Sequence, residues 1–300
     1  MNLAKLPIVR GVLRKLQIMN SALRLYIPPG HYYSPIVSTK EVFHDQKRIF
    51  DKNNNLAGID LNIAIQAMYL EAFKQYYLEF ANDYIEASVD LIYTPNNGFY
   101  SYADGIFLFS FMRHLKPSTI IEIGSGYSSS LMYDVDNKYL ENKTKLVFIE
   151  PYPEERFYKI FSKSKGNYEI VKSKVQNVDL GKFLDLGFND ILFIDSSHVS
   201  KTGSDLNFLL FDVLPKLKKG VIVHFHDIFY PFEYPLNHVL GNRWFSWNEA
   251  YLLRSFLIFN SQFEIIFWNS FLEHSKSDFL QRDFPLYFKG GSASLWIRKL

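Results

Sequence analysis

The chain has 300 residues, 48% of them apolar, and its 28 Phe and 20 Tyr favour aromatic packing over disorder. A balance of 33 basic against 31 acidic residues leaves a net charge of +2, which gives no electrostatic footprint for nucleic acid. The absence of cysteine excludes disulfides, thiolate metal sites and cysteine nucleophiles.

At the N-terminus, Lys5, Arg10, Arg14 and Lys15 interrupt any apolar leader. No stretch reaches the roughly 18 apolar residues of a membrane span, so a cytoplasmic protein without a transmembrane segment is expected. After Pro7, the residues Ile8, Val9, Val12, Leu13 and Leu16 share one helical face opposite those basic residues. That face suits docking on its own domain or on a second copy in a homo-oligomer, with a membrane surface as the alternative. The segment from Pro28 to Pro35 is turn-rich and cannot be regular helix. Between Leu61 and Ala87, the residues Ile65, Met68, Tyr69, Phe73, Tyr76, Tyr77, Phe80 and Tyr84 recur at helical spacing, which predicts a long helix with a core-facing aromatic stripe. Pro95–Gly98 reads as a loop, and Asp104 is placed to cap an apolar helix ending at Lys116-Pro117.

Strands and helices then alternate. Strands are expected at Ile120–Ile123, Leu146–Ile149, Tyr168–Val171, Ile191–Ile194 and Val221–Phe225, with helices near Ser128–Tyr139, Glu154–Phe161 and Ser204–Leu214. Nearly all-apolar strands alternating with helices predict an α/β fold with a doubly wound, mostly parallel sheet covered on both faces. Ser246 and Glu249 form a capping-box pair ahead of a further helix. Phe263–Trp268 and Ser292–Arg298 read as closing strands, and the connection from Asn269 to Gly291 as a surface loop or short insertion.

Three strand ends carry the chemistry. Ile120–Ser130 reads as a buried strand, a turn through Gly124 and Gly126, and the first turn of a helix. This is a cradle for an anionic or carboxylate-bearing cofactor. Strand two ends in Glu150, placed to accept hydrogen bonds from ribose hydroxyls. Strand four ends in Asp195-Ser196-Ser197-His198 and strand five in His226-Asp227. Ligands of open α/β sheets bind beyond the carboxyl ends of the strands, so both endings face one cleft. Alternation sends His224 and His226 to the same side. Asp205 follows Thr202 and Ser204 and is expected to cap a helix, and Trp247 is a candidate pocket residue.

With these motifs the chain resembles the class I S-adenosylmethionine-dependent methyltransferases, and more narrowly the bacterial small-molecule branch known as methyltransferase family 24. The carrying residues are Ile120–Ser130, Phe193–His198 and the run from Leu214-Pro215 to His226-Asp227-Ile228, with Pro28–Pro35 similar to the family's N-terminal segments. The resemblance implies a Rossmann-like seven-stranded sheet with an antiparallel last strand and a helical N-terminal extension. It divides the chain into an extension and lid over 1–95 and a methyltransferase domain over 96–300. It implies S-adenosylmethionine bound by Glu122, Gly124, Ser125, Gly126, Tyr127, Ser128, Glu150, Gln176 and Asp195, with Gly124 and Gly126 at the methionine part, Glu150 at the ribose and Gln176 near the adenine. Some relatives hold a divalent metal between carboxylates after strands four and five, which maps onto Asp195, His226 and Asp227 with Mg2+ or Mn2+ as the ion. The catalytic candidates are Asp195, His198 and His226, a histidine serving as metal ligand or as base toward a hydroxyl acceptor.

The expected activity is methyl transfer to an oxygen of a small molecule such as a sugar or secondary metabolite. Two other readings stay open. A nicotinamide oxidoreductase is disfavoured because Ser129 stands at the third position of Gly-x-Gly-x-x-Gly and because the chain closes in a strand pair. A non-catalytic cofactor-binding or assembly protein would use the same fold with structural histidines.

Overall fold

The computed structural model describes residues 27–53, 56–86, 91–153, 157–158, 161, 166–241 and 245–300. The expected N-terminal helix lies outside them, as does most of the helix expected at Glu154–Phe161. Among the described residues, backbone contacts group those up to 51 with those of 235–246, and those of 52–234 with those of 247–300. In the smaller unit, helix α1 (Thr39–Ile49) starts at Ser38, whose hydroxyl accepts from the Glu41 amide, and it packs against a short helix at Leu236–Leu240. Glu41 in its first turn and Lys47 and Arg48 in its last complement the helix dipole.

The larger unit is built on seven strands: β1 (Thr119–Ile123), β2 (Lys145–Ile149), β3 (Tyr168–Val171), β4 (Ile191–Ile194), β5 (Ile222–Phe225), β6 (Phe263–Trp268) and β7 (Leu295–Lys299). Their order is β3-β2-β1-β4-β5-β7-β6. The first five run parallel, while β7 is antiparallel to both β5 and β6. This order, with its reversed strand, separates the sheet from the nicotinamide-binding arrangement 3-2-1-4-5-6. The strands β1, β2, β4 and β5 are almost wholly buried, which is why they read as continuous apolar runs.

The predicted aromatic helix is α2 (Ile63–Tyr84), and Phe73, Tyr77 and Phe80 on it are buried. They meet the apolar helix α3 (Tyr102–Leu115), whose Phe107 and Phe111 pack against Phe267 of β6. α2 also closes the sheet edge. Asn62 Nδ2 donates to the Ile265 carbonyl at 3.1 Å, and the Trp268 amide donates to Gln66 Oε1 at 2.9 Å. Side-chain amides thus satisfy backbone groups that an edge strand otherwise leaves open.

Several expectations need correction. Asp104 does not cap α3, whose N-cap is Ser101. Asp104 lies inside the first turn and is buried, where its Oδ1 accepts from Asn269 Nδ2, the Ala293 amide and Ser294 Oγ, tying α3 to the strand pair β6–β7. Asn269–Gly291 is no surface loop: it holds helices at Asn269–Ser275 and Ser277–Asp283 that bury Phe271, Leu272 and Leu280, and Phe284 and Tyr287 beyond them are buried too. The helix expected over Ser204–Leu214 is regular only at Asp205–Phe208, then widens into a π turn over Leu209–Val213 and closes in a 3-10 turn at Leu214–Lys216. Pro215, which lacks an amide hydrogen, accounts for the ending.

The glycine turn joins β1 to α4 (Tyr127–Tyr139). Gly124 has φ +80°, and a Cβ there would come within 1.9 Å of the Asp195 carbonyl oxygen, so only glycine fits. Ser129 explains its own presence at the third glycine position: its hydroxyl accepts from the Gly126 amide at 2.9 Å and donates to Glu122. Ser128 Oγ donates to the other oxygen of Glu122 at 2.5 Å. Burial pushes the Glu122 pKa up from 4.5 to about 8, against the lowering effect of the two serines.

Two outcomes follow from this turn. Gly124→Ala combines a left-handed backbone with a backbone clash, and should lower unfolding stability by roughly 3 kcal/mol or fail to fold, as read by urea denaturation. Glu122 binds its proton more tightly folded than unfolded, so its contribution is fully present below about pH 4.5 and is lost as pH rises toward 8. Glu122→Gln should therefore flatten the fall in melting temperature across that window; an unchanged slope would contradict the assignment.

Candidate functional site

The ladder of the parallel strands continues one residue past each strand end. The Glu150 amide donates to the Val171 carbonyl, Gly124 to Ile149, Asp195 to Ile123 and His226 to Ile194, all at 2.9–3.1 Å. Residues that follow different strands are thereby brought to one rim, where an open α/β sheet binds ligands.

Beyond this rim lies a cavity of about 410 Å³. Of the predicted cofactor residues, Gly124, Glu150, Gln176 and Asp195 line it, together with Ser197 and Asp205. Glu150 grips the glycine turn: its Oε2 accepts from the Ser125 amide at 3.3 Å and its Oε1 from the Tyr152 amide at 2.7 Å. Gln176 donates through Nε2 to the Gly203 carbonyl at 2.8 Å. Glu122, Ser125, Gly126, Tyr127 and Ser128 are outside this lining. The Glu122 carboxylate and the Ser128 hydroxyl are spent on each other, and Tyr127 stacks on Phe99. Gly126 faces open space, with no atom within 4 Å of where a Cβ would stand. Asp205 is not a cap, because Ser204 takes that role; its carboxylate accepts from the Ser197 amide and hydroxyl and holds the loop after β4.

Next to the cavity, Asp195, His198 and Asp227 form a cluster whose ligand atoms all lie within 4.8 Å of one another. His198 Nε2 is 3.3 Å from Asp195 Oδ1 and 3.6 Å from Asp227 Oδ2. The imidazole between the two carboxylates is therefore His198, one of the two histidines the sequence offered as ligand or base. His226 Nε2 stands 3.9 Å from Asp227 Oδ1, its Nδ1 has no partner among the described residues, and its ring lies against Tyr100 at 5.1 Å. His224 does project to the same side, 6.0 Å from His226, but it is fully buried and stacked on Phe193 at 3.8 Å, a core histidine.

The backbone at this cluster is unusual. His198 has φ +58° and Asp227 φ +57°, a region that non-glycine residues seldom occupy outside constrained sites. The helix Glu249–Leu257 meets it directly. The amides of Asn248 and Glu249 donate to the His198 carbonyl at 3.1 and 3.2 Å, and Glu249 Oε2 lies 2.7 Å from His198 Nδ1. This corrects the capping-box assignment: the N-cap is Asn248, and the Glu249 side chain points into the site rather than back to Ser246. Sequence reading missed Glu249 because a glutamate three residues after a serine fits a local explanation. Trp247, already a pocket candidate, packs on the His198 ring at 4.4 Å.

Electrostatics bind the cluster together. Burial opposes ionisation of Asp195, yet the neighbouring His226 and His198 outweigh it and hold the carboxyl below its usual value. For His198, burial opposes protonation, but hydrogen bonds to Asp195 and Glu249 raise its pKa well above the ordinary imidazole range. His226 is raised against burial by Asp227, Asp195 and Asp104, whereas burial depresses His224, aided by the charge of His226. Two carboxylates joined by an imidazole can hold a divalent cation, or can orient a hydroxyl and take its proton.

The family model described as a methyltransferase domain matches residues 121–228, a span that contains the glycine turn, Glu150 and the whole of the Asp195–His198–Asp227 cluster. An uncharacterized protein of Archaeoglobus fulgidus is 38% identical over 185 residues, which cover 58% of this chain and 81% of that protein. Among solved structures, the methyltransferase PaMTH1 of Podospora anserina bound to S-adenosylhomocysteine is similar at 15% identity and a TM-score of 0.44, over 88% of this chain and 98% of that one. The O-methyltransferase TomG of Streptomyces achromogenes, in complex with S-adenosylmethionine, is similar at 15% identity and a TM-score of 0.42, over 87% and 96%. The matched span gives residues 121–228 of the chain a methyltransferase domain, and the strand order and the glycine turn agree with it.

Proposed function

We propose that this enzyme transfers the methyl group of S-adenosylmethionine to a hydroxyl oxygen of a small molecule such as a sugar or secondary metabolite. The observation that carries the proposal is the double membership of Asp195. Asp195 lines the cavity, and its carboxylate also belongs to the cluster with His198 and Asp227. A methyl donor in the cavity and an acceptor at the cluster would thus meet at Asp195.

In this reading Glu150 accepts the ribose hydroxyls, Gly124 leaves room for the amino-acid portion, and Gln176 stands near the adenine. The acceptor oxygen attacks the methyl carbon as the carbon–sulfur bond breaks, and the hydroxyl proton leaves toward the cluster. The chain contributes mainly alignment of the two reactants and exclusion of water. The donor set fits a divalent cation held by Asp195, His198 and Asp227, and the imidazole favours Mn2+ or a later ion over Mg2+. Such an ion, when bound, would supply the positive charge that acidifies and orients an acceptor hydroxyl. A second reading draws on the Glu249–His198 bond: an imidazole oriented by a carboxylate is also the arrangement of a general base working without metal.

Titration with S-adenosylmethionine should give heat and a raised melting temperature, and NAD should give neither; no response to S-adenosylmethionine would sink the proposal. Glu150→Ala should weaken S-adenosylhomocysteine binding by roughly 10- to 100-fold, the value of hydrogen bonds to a charged group. Asp227→Asn, outside the cavity, should keep that binding while S-adenosylhomocysteine release with a panel of hydroxylated acceptors falls by about 100-fold or more. Loss of turnover in EDTA with recovery in Mn2+ would favour the metal reading, and indifference to EDTA the base reading.

A further inference from the structure

Glu249 has no place in the reaction as described, yet its burial calls for one. Its side chain is 1% exposed, in a position where an isolated carboxylate is costly. It neither caps its helix nor pairs with a lysine or arginine among the described residues. One oxygen is 2.7 Å from His198 Nδ1, and the other has no hydrogen-bond partner there. The contact is reinforced from the backbone, because the Asn248 and Glu249 amides both donate to the His198 carbonyl. His198 is itself held at φ +58°, and the indole of Trp247 covers its ring. Ring and backbone are therefore fixed from one side by three consecutive residues, 247–249. The only ring atom left free to face the two carboxylates is Nε2, at 3.3 Å from Asp195 and 3.6 Å from Asp227.

We propose that Glu249 is the positioning residue of this site, accepting the Nδ1 hydrogen of His198 so that Nε2 is presented to the gap between Asp195 and Asp227. The inference rests on the reading that this cluster serves the acceptor, and it holds whether Nε2 meets a cation or a substrate hydroxyl. An imidazole that uses one nitrogen on a carboxylate has its tautomer and ring plane set, and the remaining nitrogen becomes a directed ligand. Loss of such a partner costs about 10- to 100-fold in metal affinity in sites of this kind. Glu249 acts only through His198 and does not itself touch the reacting atoms.

The test compares Glu249→Ala and Glu249→Gln in the full-length protein. The first readout is the long-range proton–nitrogen spectrum of the histidine rings without metal, with the His198 signals assigned by their loss in His198→Gln. The second is Mn2+ binding by calorimetry. Glu249→Ala should shift the His198 ring nitrogens and weaken Mn2+ by about 10- to 100-fold, with S-adenosylhomocysteine affinity unchanged. Glu249→Gln, which keeps an acceptor oxygen, should give intermediate values and guards against a variant that fails to fold. Unaltered ring-nitrogen signals in both variants would overturn the proposal. If the wild-type protein bound no Mn2+, the metal reading would fail on its own, and the ring-nitrogen spectrum would still decide the role of Glu249.

Discussion

The approach of the Asp195 carbonyl to Gly124 is the constraint on which the rest of the site depends. The two residues continue neighbouring parallel strands, and the Asp195 amide donates to the Ile123 carbonyl just before the turn. A Cβ at position 124 would fall 1.9 Å from the Asp195 oxygen, so the loop after β1 and the loop after β4 touch through backbone alone. That contact needs no side chain and carries no rotamer freedom. It makes the donor side and the acceptor side of the proposed reaction a single rigid piece, which is what transfer between two bound molecules requires.

Burying several charges around such a piece would be costly if each stood alone. Here Asp195, Asp227 and Glu249 surround His198, with His226 behind them, so opposite charges offset much of the desolvation. The cluster reaches further into the structure through Asp104, which lies near His226 and fastens α3 to the connection leading into β7. The antiparallel strand that distinguishes this sheet from the nicotinamide-binding arrangement is thus also an anchor for the charged site.

Periodicity and strand-end chemistry made much of this legible in the sequence. Strands buried on both faces, such as β4, announce themselves as apolar runs, and β4, β6 and the edge strand β3 have the bounds the sequence predicts. Asp195, His198 and Asp227 could be assigned to one rim because strand ends in a doubly wound sheet converge. What could not be read was the partner of each polar side chain. Glu249, Asp104 and Asp205 all sit near helix starts, where a capping explanation is locally sufficient, and all three bond instead to residues 8 to 190 positions away. The same limit left His198 and His226 as alternatives, since strand alternation gives a face but not which of two nearby imidazoles enters the gap between carboxylates.

The amides of Asn62 and Gln66 that finish the β6 edge have a bearing on how copies of this chain could assemble. Backbone groups at Ile265 and Trp268 that might have paired with a neighbouring molecule are already committed to a helix of the same chain. At the opposite edge, β3 leaves Glu169 and Ile170 exposed, and Glu169 is paired with Lys182 at 2.6 Å. A charged pair on an open strand discourages another strand from joining. The sheet is therefore guarded by a covalently attached cap on one side and by charge on the other, which disfavours self-association by lengthening the sheet.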